Sequence, residues 1–243
     1  MSNEIILNAD ARLRTGTNKN REIRREDSMV PAVIYGNNED TKNIKVPLNE
    51  ITKACESELF YTQVLKIILD GNEEKVVLKK IVELDSPWGS SFISNNEIIV
   101  TEKSGRIKIV DISSKEIQEV AHQLDFVVHG QGGLLDIIYK DNNVWISYTE
   151  DRGNYKTSTS IARAELNKKK LDFKNIFQAN PPIDSGYHFG SRLAIKDNYI
   201  YASAGERGQG MIAQDASKHP GSIIRVHLDG SIPNDNPKFE GKS

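Results

Sequence analysis

Short segments of strand-forming residues, separated by polar turns, recur along this chain and limit its possible folds more than any other feature. From Leu84 onward, segments of five to seven residues alternate with turns, and no long amphipathic helix interrupts them. Spacing of this kind is typical of stacked sheets or propeller blades. The sequence therefore predicts an all-β protein, although no exact short repeat singles out a propeller.

Several of these segments form hairpin patterns. "NEIIVTEKSGRIKIVDI" predicts two strands around the turn Lys103-Ser104-Gly105, and "NNVWISYTED" with "STSIARAEL" predicts a second pair. "RLAIKDNYIYASAG" and "GSIIRVHLDGS" follow at similar intervals. Nearer the start of the chain, "YTQVLKIILDGNEEKVVLKKI" predicts a hairpin around Asp70-Gly71-Asn72, since Asp-Gly is a frequent hairpin turn.

Composition excludes several classes of protein. Hydrophobic residues make up 37% of the 243 residues and charged residues 27%, and the net charge of −2 indicates no global basic field for a nucleic acid. The single cysteine, Cys55, excludes an internal disulfide and a cysteine-rich zinc site, and we expect it to be a small buried residue. No apolar run reaches the roughly 20 residues of a membrane helix, and "MSNEIILNADARLRTG" is not a secretory signal. We therefore expect no membrane partner and a cytoplasmic protein.

A cluster of basic residues follows the first predicted strand, "NEIILNADARL". The cluster consists of Arg12, Arg14, Lys19, Arg21, Arg24 and Arg25. Their spacing is too irregular for one helix face, so the segment is predicted to be a loop. Two interpretations remain open: a solvated surface, or an arm whose guanidinium groups contact phosphates with strong salt dependence. Tyr35, in the following segment "MVPAVIYG", either stacks on a base or packs under the sheet.

The order of these segments resembles the bacterial ribosomal protein L twenty-five family, whose members bind 5S rRNA and include the general stress protein Ctc. The resemblance covers residues 4–81, with "VPAVIYG" preceded by the arginine arm and followed by a short helix, "LNEITKACES", with Asn49 as its possible N-cap. It implies a small β-barrel and RNA-binding roles for Arg12, Lys19, Arg21, Arg24, Arg25 and Tyr35. Glu22 departs from the family pattern. The residues that would close the barrel are also missing, so we expect an incomplete barrel with unpaired edges.

Three motifs in the second part of the chain carry residues suited to catalysis. "GQGGLLD" places Gln131 between glycines that would allow a ligand close to the backbone, "GYHFGSRL" places His188 in a glycine-flanked loop, and "SAGERGQG" places Glu206 and Arg207 on a flexible turn. A lone loop histidine is often only a surface or packing residue. A histidine beside a carboxylate can also act as a general base near neutral pH, so both interpretations stay open.

Residues 83–240 closely resemble the soluble quinoprotein glucose/sorbosone dehydrogenase family, which includes the aldose sugar dehydrogenases. Six motifs agree in order: "LDSPWGSSF", "IIVTEKSGRIKIVD", "GQGGLLDI", "HFGSRLAI", "AGERG" and "AQDASKHPGSIIRVHLDGSIPNDNP". The resemblance implies a six-bladed β-propeller with pyrroloquinoline quinone (PQQ) and calcium. It also implies oxidation of an aldose to a lactone, with hydride passing to the quinone.

The same resemblance implies roles for individual residues. His188 matches the catalytic base, Gln131 matches the glutamine against quinone and substrate, and Glu206 matches an acidic position near the histidine where many relatives have aspartate. Tyr187 departs from the aspartate or asparagine of relatives, and Arg192 is expected to be structural. Quinone-binding arginines, a lysine and the calcium-binding segment have no counterpart, so we expect about three of six blades and no metal ligands among the residues present.

The two resemblances meet near Ile81–Val82 in "VVLKKIVELDSPWGSSF" without a linker, and a strand is expected to run across the junction. We therefore expect two domains, 1–81 and 82–243, that join an incomplete 5S rRNA-binding domain to part of a sugar dehydrogenase. Full activity is expected of neither. The alternative is a protein of the large ribosomal subunit whose second part is a passenger.

Overall fold

The computed structural model describes residues 4–12, 28–36, 39–78 and 81–238. Strands dominate these residues, and only one α-helix of eight residues and two short 3₁₀ turns occur among them. The predicted all-β class is therefore confirmed. The chain forms two compact units, Met1–Lys80 and Ile81–Ser243, and each is described separately below.

The first unit is a curled, half-barrel sheet of five strands. In chain order these are β1 (Ile6–Ala11), β2 (Met29–Gly36), β3 (Glu39–Pro47), β4 (Leu65–Leu69) and β5 (Asn72–Val76). Their order in the sheet is β2-β3-β1-β4-β5, with β1 antiparallel to β3 and parallel to β4. Because β2 and β5 lie at opposite edges and do not pair with each other, the sheet is an open barrel, as expected.

Alternation along the strands places the core of this unit on one face of the sheet, which a single helix contacts. Helix α1 (Leu48–Cys55) and a 3₁₀ turn (Glu58–Tyr61) connect β3 to β4. The buried core residues are Leu7, Ala9, Ile44, Val46, Ala54, Phe60, Leu65 and Ile67. Asp70 (φ 48°) and Gly71 (φ 85°) form the two-residue turn between β4 and β5, which confirms the predicted hairpin.

Two expectations about α1 are wrong. The helix begins at Leu48 directly after Pro47, which makes no side-chain cap, so Asn49 lies inside the helix and is not its N-cap. Cys55 is exposed, because Ala54 occupies the face of α1 that packs on the sheet and the next residue points about 100° away from it. Helical spacing alone did not distinguish these two neighbouring positions.

Within residues 81–238, the second unit contains three sheets, in which all pairings except one are antiparallel. The first comprises β6 (Pro87–Phe92), β7 (Glu97–Glu102), β8 (Ile107–Asp111) and β9 (Ile117–His122), with the two-residue β13 (Lys170–Leu171) parallel to β9. The second comprises β10 (Leu134–Lys140), β11 (Asn143–Asp151), β12 (Thr157–Glu165) and β14 (Lys174–Gln178). The third comprises β15 (Gly190–Lys196), β16 (Tyr199–Ala204) and β17 (Ile223–His227). The predicted hairpins β7–β8, β11–β12 and β15–β16 are all present.

Apolar layers join each sheet to the next. Ile99, Ile107 and Leu134 belong to the layer between the first and second sheets. Trp145 and Leu193 belong to the layer between the second and third sheets, and the Trp145 indole N–H donates to the Leu228 carbonyl at 3.0 Å. The packed layers therefore place consecutive sheets face to face, as in the blades of a propeller.

The first strands of the three sheets, β6, β10 and β15, lie side by side. Arg192 on β15 connects them: its guanidinium lies 4.4 Å from the Trp88 ring centroid on β6, and its Nη1 donates to Asp136 on β10 at 3.2 Å. Gly89 on β6 also approaches β10 closely, since an added Cβ would lie 2.7 Å from the Asp136 Cα. Loops at the ends of these strands are therefore held near one another.

The junction between the two matched segments is not a continuous strand. β5 ends at Val76, the next strand begins at Pro87, and the described residues between them, 77–78 and 81–86, form no strand. The expectation that one strand crosses Ile81–Val82 is therefore wrong. Within the second unit, the Asp85 backbone N–H donates to the buried Glu102 at 2.7 Å. Among the described residues, no helix has the length and apolar character that a membrane span needs.

Candidate active site

His188 lies in the loop that leads into β15 and has a conformation unusual for a residue with a side chain. Its φ of 50° falls in the left-handed region, which costs on the order of 1 kcal/mol for a non-glycine residue. Its side chain is 53% exposed. Interactions with other loops must therefore hold the backbone in place while the imidazole remains accessible to a ligand.

Glu206 lies on the turn after β16 and contacts the imidazole directly. His188 Nδ1 forms a short hydrogen bond with Glu206 Oε1, and the Gly208 backbone N–H donates to the same oxygen at 3.2 Å. The hydrogen bond from His188 lowers the pKa of the Glu206 carboxyl below its usual value, although burial partly offsets this effect. Glu206 is therefore ionised near neutral pH.

An ionised carboxylate determines which nitrogen of His188 carries the proton. Because a carboxylate only accepts hydrogen bonds, His188 Nδ1 must donate to it, so the neutral imidazole carries its proton on Nδ1. The Nε2 lone pair is then available to accept a proton. Chemically, this is the arrangement of a general base with an orienting acid.

Gln131 comes from the loop before β10 and holds the backbone at His188. Its side-chain Oε1 accepts the His188 backbone N–H at 2.9 Å, and its own backbone N–H donates to the Gly186 carbonyl at 2.7 Å. The structure thus brings Gln131, His188 and Glu206 together, although they are separated by 57 and 18 positions in the sequence.

The glycines around Gln131 make room for protein rather than for a ligand. A Cβ added to Gly130 would lie 2.4 Å from the Gly186 carbonyl oxygen, and one added to Gly133 would lie 2.1 Å from the Lys103 carbonyl oxygen. The expectation that these glycines admit a ligand to the backbone is therefore wrong for these two positions. They allow neighbouring loops to pack against each other.

Lys103 and Arg207 support the site, a role that the sequence did not reveal: it placed both residues only in turns. Lys103, on the β7–β8 turn, donates from Nζ to the Gly130 carbonyl at 2.5 Å. Arg207 is buried, with only 3% of its surface exposed, so the turn that carries it is held by packing and hydrogen bonds and was wrongly expected to be flexible. Burial lowers the pKa of Arg207 to about 10, so the guanidinium remains charged at neutral pH. No sequence signal distinguished this buried arginine from a surface one.

A groove of about 640 Å³ opens beside the site. Its lining includes the exposed Tyr155, the carboxylates of Asp151 and Asp184, His129 and the buried Thr157. None of the three candidate residues lines it, but Thr157 accepts hydrogen bonds from Arg207. The groove therefore adjoins the candidate site without containing it.

Among the described residues, no group of three or more histidine, cysteine or acidic side chains is placed to hold a metal ion.

The predicted RNA-binding residues are described only in part. Arg12 follows β1 and pairs with Asn43 on β3: its backbone N–H donates to the Asn43 carbonyl at 2.8 Å, and burial lowers its pKa. Tyr35 lies on β2, which pairs with the other side of β3, and 49% of its surface is exposed. Lys19, Arg21, Arg24 and Arg25 lie outside the described residues. The structure therefore places two of the six predicted residues: Arg12 directly after β1, and Tyr35 on β2.

Comparisons with known proteins match each part of the chain to a different family. Residues 84–243 match the Glucose / Sorbosone dehydrogenase family, and residues 7–83 match the Ribosomal L25p family. Aldose sugar dehydrogenase YliI from Escherichia coli is 31% identical over 165 residues, which cover 64% of this chain and 44% of the relative. Large ribosomal subunit protein bL25 from Saccharophagus degradans is 40% identical over 82 residues, which cover 33% of this chain and 39% of the relative.

A solved structure gives the same result for the fold of the second part. The PQQ-bound form of aldose sugar dehydrogenase from Streptomyces coelicolor superposes with a TM-score of 0.60 at 25% identity, covering 69% of this chain and 52% of that one. The partial-propeller fold expected for residues 82–243 is thereby confirmed. The chain spans less than half the length of each of these two relatives. It belongs to the Glucose / Sorbosone dehydrogenase family through residues 84–243, whereas residues 7–83 are similar to the Ribosomal L25p family.

Proposed function

We propose that residues 82–243 form a domain that acts on aldose sugars, with His188 as the base that takes the proton of the anomeric hydroxyl. The observation that supports this proposal is the contact between His188 Nδ1 and the ionised Glu206, which leaves Nε2 as the proton acceptor on an exposed imidazole. Family membership supports the sugar as substrate, since a relative matched by this chain is an aldose sugar dehydrogenase.

The three candidate residues have distinct tasks in this proposal. Glu206 orients the imidazole and stabilises the imidazolium that forms when His188 accepts a proton. Gln131 uses its Oε1 to fix the His188 backbone, so its Nε2 amide is the group that would donate to a substrate hydroxyl or a quinone oxygen. Because the site is assembled from loops of neighbouring sheets, both tasks depend on the packing between those sheets.

PQQ is the cofactor implied by the family, and the Streptomyces coelicolor neighbour is a PQQ-bound form. When bound, it would supply the two-electron acceptor that sugar oxidation requires. The Gln131 side-chain amide can donate to a quinone oxygen, whereas His188 would lie beside the quinone as a neighbour, because its Nδ1 proton is donated to Glu206 and its Nε2 carries no proton. For the carboxylates of PQQ, the described site offers the Lys103 ammonium, which uses one of its three N–H donors on the Gly130 carbonyl, whereas the buried Arg207 already donates to Tyr187 and Thr157. The described residues therefore fit one side of the cofactor, and they offer no grouping suited to calcium.

We expect weak turnover from these 243 residues alone. The matched segment corresponds to 44% of the Escherichia coli relative, and catalysis needs every group held in place at once. Dye-linked aldose oxidation after reconstitution with PQQ and calcium would test the proposal. The controls are His188→Ala, which should abolish turnover, and His227→Ala on β17, which should not change it. Equal turnover in His188→Ala and the unmodified protein would rule out His188 as the base.

Binding of 5S rRNA is a second candidate function, for residues 1–81. The match to the Ribosomal L25p family supports it, and so does the placement of Arg12 beside Asn43 on β3 and of the exposed Tyr35 on the neighbouring β2. The partner would be 5S rRNA in the large ribosomal subunit, with Lys19, Arg21, Arg24 and Arg25 as further phosphate contacts. This function would place the protein in the cytoplasm, with the second domain as a passenger.

Filter binding to 5S rRNA over a series of salt concentrations would test RNA binding. Each cation that contacts a phosphate contributes about −0.7 to −0.9 to the slope of log affinity against log salt. Replacing Arg21 and Arg24 together by alanine should therefore reduce the slope by about 1.5 units. Lys196→Ala, in the other unit, is the matched control for loss of a surface cation. A slope that does not differ among the three proteins would exclude the basic cluster as an RNA-binding arm.

A further inference from the structure

The buried guanidinium of Arg207 binds the loop that carries His188. Its Nε donates to the Tyr187 carbonyl at 2.9 Å, and its Nη2 donates to the Ser185 carbonyl. The other end of the fork reaches β12, where Nη1 donates to the Thr157 carbonyl at 3.0 Å and Nη2 to the Thr157 hydroxyl at 2.7 Å. Arg207 therefore joins the loop before β15 to the first residue of β12.

An aromatic contact completes this clamp on the other side of His188. The Arg207 guanidinium lies 3.7 Å from the ring centroid of Phe189, which is itself buried. The two immediate neighbours of His188 are thus held by a single side chain: Tyr187 through its carbonyl and Phe189 through its ring. A planar guanidinium can make both kinds of contact at once, because its edges donate hydrogen bonds while its face stacks.

The loop needs such a clamp because it lacks other regular support. His188 has a φ of 50°, and the described residues 184–189 belong to no strand or helix. Buried carbonyls without partners would cost about 1–3 kcal/mol each. Arg207 donates to the Ser185, Tyr187 and Thr157 carbonyls with one side chain, so loss of the guanidinium would remove a donor from all three.

We propose that Arg207 is a positioning residue, which holds residues 185–189 so that His188 meets Glu206 and Gln131 together. Glu206 and Arg207 are adjacent, so one turn supplies both the carboxylate that contacts the imidazole and the clamp on its loop. Arg207 touches neither the substrate nor the imidazole, and it acts through the backbone. Only the effect of this positioning on turnover rests on the proposed function.

Two substitutions separate the effect of the hydrogen bonds from the guanidinium of Arg207 from the effect of its positive charge. Arg207→Lys keeps the positive charge but has one ammonium in place of a planar fork, so it cannot reach Tyr187, Ser185 and Thr157 together. Arg207→Met keeps much of the length and removes every donor. Arg163→Lys is the matched control, because Arg163 also stacks on an aromatic ring, that of Trp145, and binds an Asn143 side chain away from the site.

The test measures amide hydrogen exchange of residues 183–190 together with the nitrogen-15 spectrum of the His188 imidazole in the full chain. In the unmodified protein, the Nδ1 proton should show the downfield shift of a hydrogen bond to a carboxylate. In Arg207→Lys, exchange in this segment should accelerate about tenfold or more and that signal should be lost, while the thermal transition remains cooperative. Arg163→Lys should change neither readout. If Arg207→Lys and Arg207→Met both keep the signal and the slow exchange, Arg207 does not position the loop.

Measurements of kcat and KM would then show whether the positioning of His188 by Arg207 affects aldose oxidation. If the unmodified protein oxidises aldoses with PQQ, Arg207→Lys should lower kcat more than it raises KM, since the substrate-contacting groups remain present. If the unmodified protein shows no turnover, the proposed function fails, and the exchange and nitrogen-15 measurements still decide whether Arg207 holds His188. Should Arg207→Met fail to fold, Arg207→Lys gives the decision alone.

Discussion

The backbone N–H of His188 donates to the side-chain Oε1 of Gln131 at 2.9 Å. This bond connects the loop before β10 to the loop before β15, two segments that the sequence separates by 57 positions. It also orients the Gln131 amide, because only the oxygen can accept from an N–H, so the NH₂ group faces away from the His188 backbone. The Gln131 side chain therefore holds the His188 loop through its Oε1 acceptor, and its NH₂ group can donate to a ligand.

Substitutions at Gln131 should separate these two tasks. Gln131→Glu keeps an acceptor for the His188 N–H but removes the amide donor, whereas Gln131→Ala removes both. We expect both variants to lose about tenfold or more in kcat/KM for aldose oxidation, and only Gln131→Ala to lose exchange protection at His188. Turnover assays and hydrogen exchange on the same preparations would check this. Normal turnover in Gln131→Glu would show that the amide donor has no part in the reaction.

Glu206→Gln should release the imidazole from its preferred tautomer. A neutral amide can donate to Nδ1, which would then act as the acceptor and leave Nε2 protonated and unable to act as a base. We expect turnover to fall by about 10²- to 10⁴-fold, because the wrong tautomer removes general-base catalysis, which contributes roughly that factor. The nitrogen-15 spectrum of His188 would report the change of tautomer directly.

Glu206→Asp is the conservative control for this prediction. It keeps the carboxylate, so the tautomer should be retained, but the shorter side chain should weaken the contact with Nδ1. If Glu206→Gln keeps both the tautomer and the turnover of the unmodified protein, the carboxylate does not orient the histidine.

Gly205 should tolerate no side chain, because a Cβ at this position would lie 1.8 Å from the His188 carbonyl oxygen. We expect Gly205→Ala to displace the His188 backbone and to destabilise the second unit by about 1–3 kcal/mol, which thermal unfolding would measure. Gly210→Ala is the matched control, since a Cβ there meets no atom within 4 Å and the residue lies in a 3₁₀ turn. Equal melting temperatures for the two variants would contradict the close approach.

Much of the fold followed from local patterns. The hairpins β4–β5, β7–β8 and β11–β12 have alternating strand residues and polar turns, and these signals are sufficient to predict them. β6 was harder to recognise, because "PWGSSF" contains proline, glycine and two serines. It is a strand because it must approach β10 closely, and Gly89 leaves the space that this contact needs. Packing between sheets, rather than strand propensity, determines such a segment.

The candidate site was predictable as a set of residues but not as a structure. Glycine-flanked loops drew attention to Gln131, His188 and Glu206, and the structure does bring these three side chains together. Arg207 could not be predicted as a buried clamp, because its partners are backbone carbonyls, which have no sequence signature. The residue pattern also gave a wrong prediction at the junction, because the strand that was expected to continue across it ends at Val76.

A buried carboxylate makes the second unit sensitive to acid. The Glu102 side chain is fully buried and accepts hydrogen bonds from Arg106 Nε at 2.6 Å, Lys108 Nζ at 2.8 Å and the Asp85 backbone N–H at 2.7 Å. Burial by itself raises the pKa of Glu102, but these hydrogen bonds outweigh it and hold the pKa below the ordinary value of 4.5. The folded protein therefore binds a proton at Glu102 less readily than the unfolded chain does.

The sign of the effect on stability follows from this difference. A carboxyl whose pKa is lower in the folded state stabilises the protein fully at pH values above its unfolded-state pKa of 4.5. This contribution is lost as the pH falls through the pKa of the folded state. We expect Glu102→Gln to lower the free energy of unfolding at pH 7 by about 2–3 kcal/mol and to flatten its decline below pH 4.5. Asp172→Asn, which removes the exposed pair with Lys170, should cost less than about 0.5 kcal/mol and keep the decline. Urea unfolding at a series of pH values would measure both, and an equally steep acid decline in Glu102→Gln would show that other carboxylates cause it.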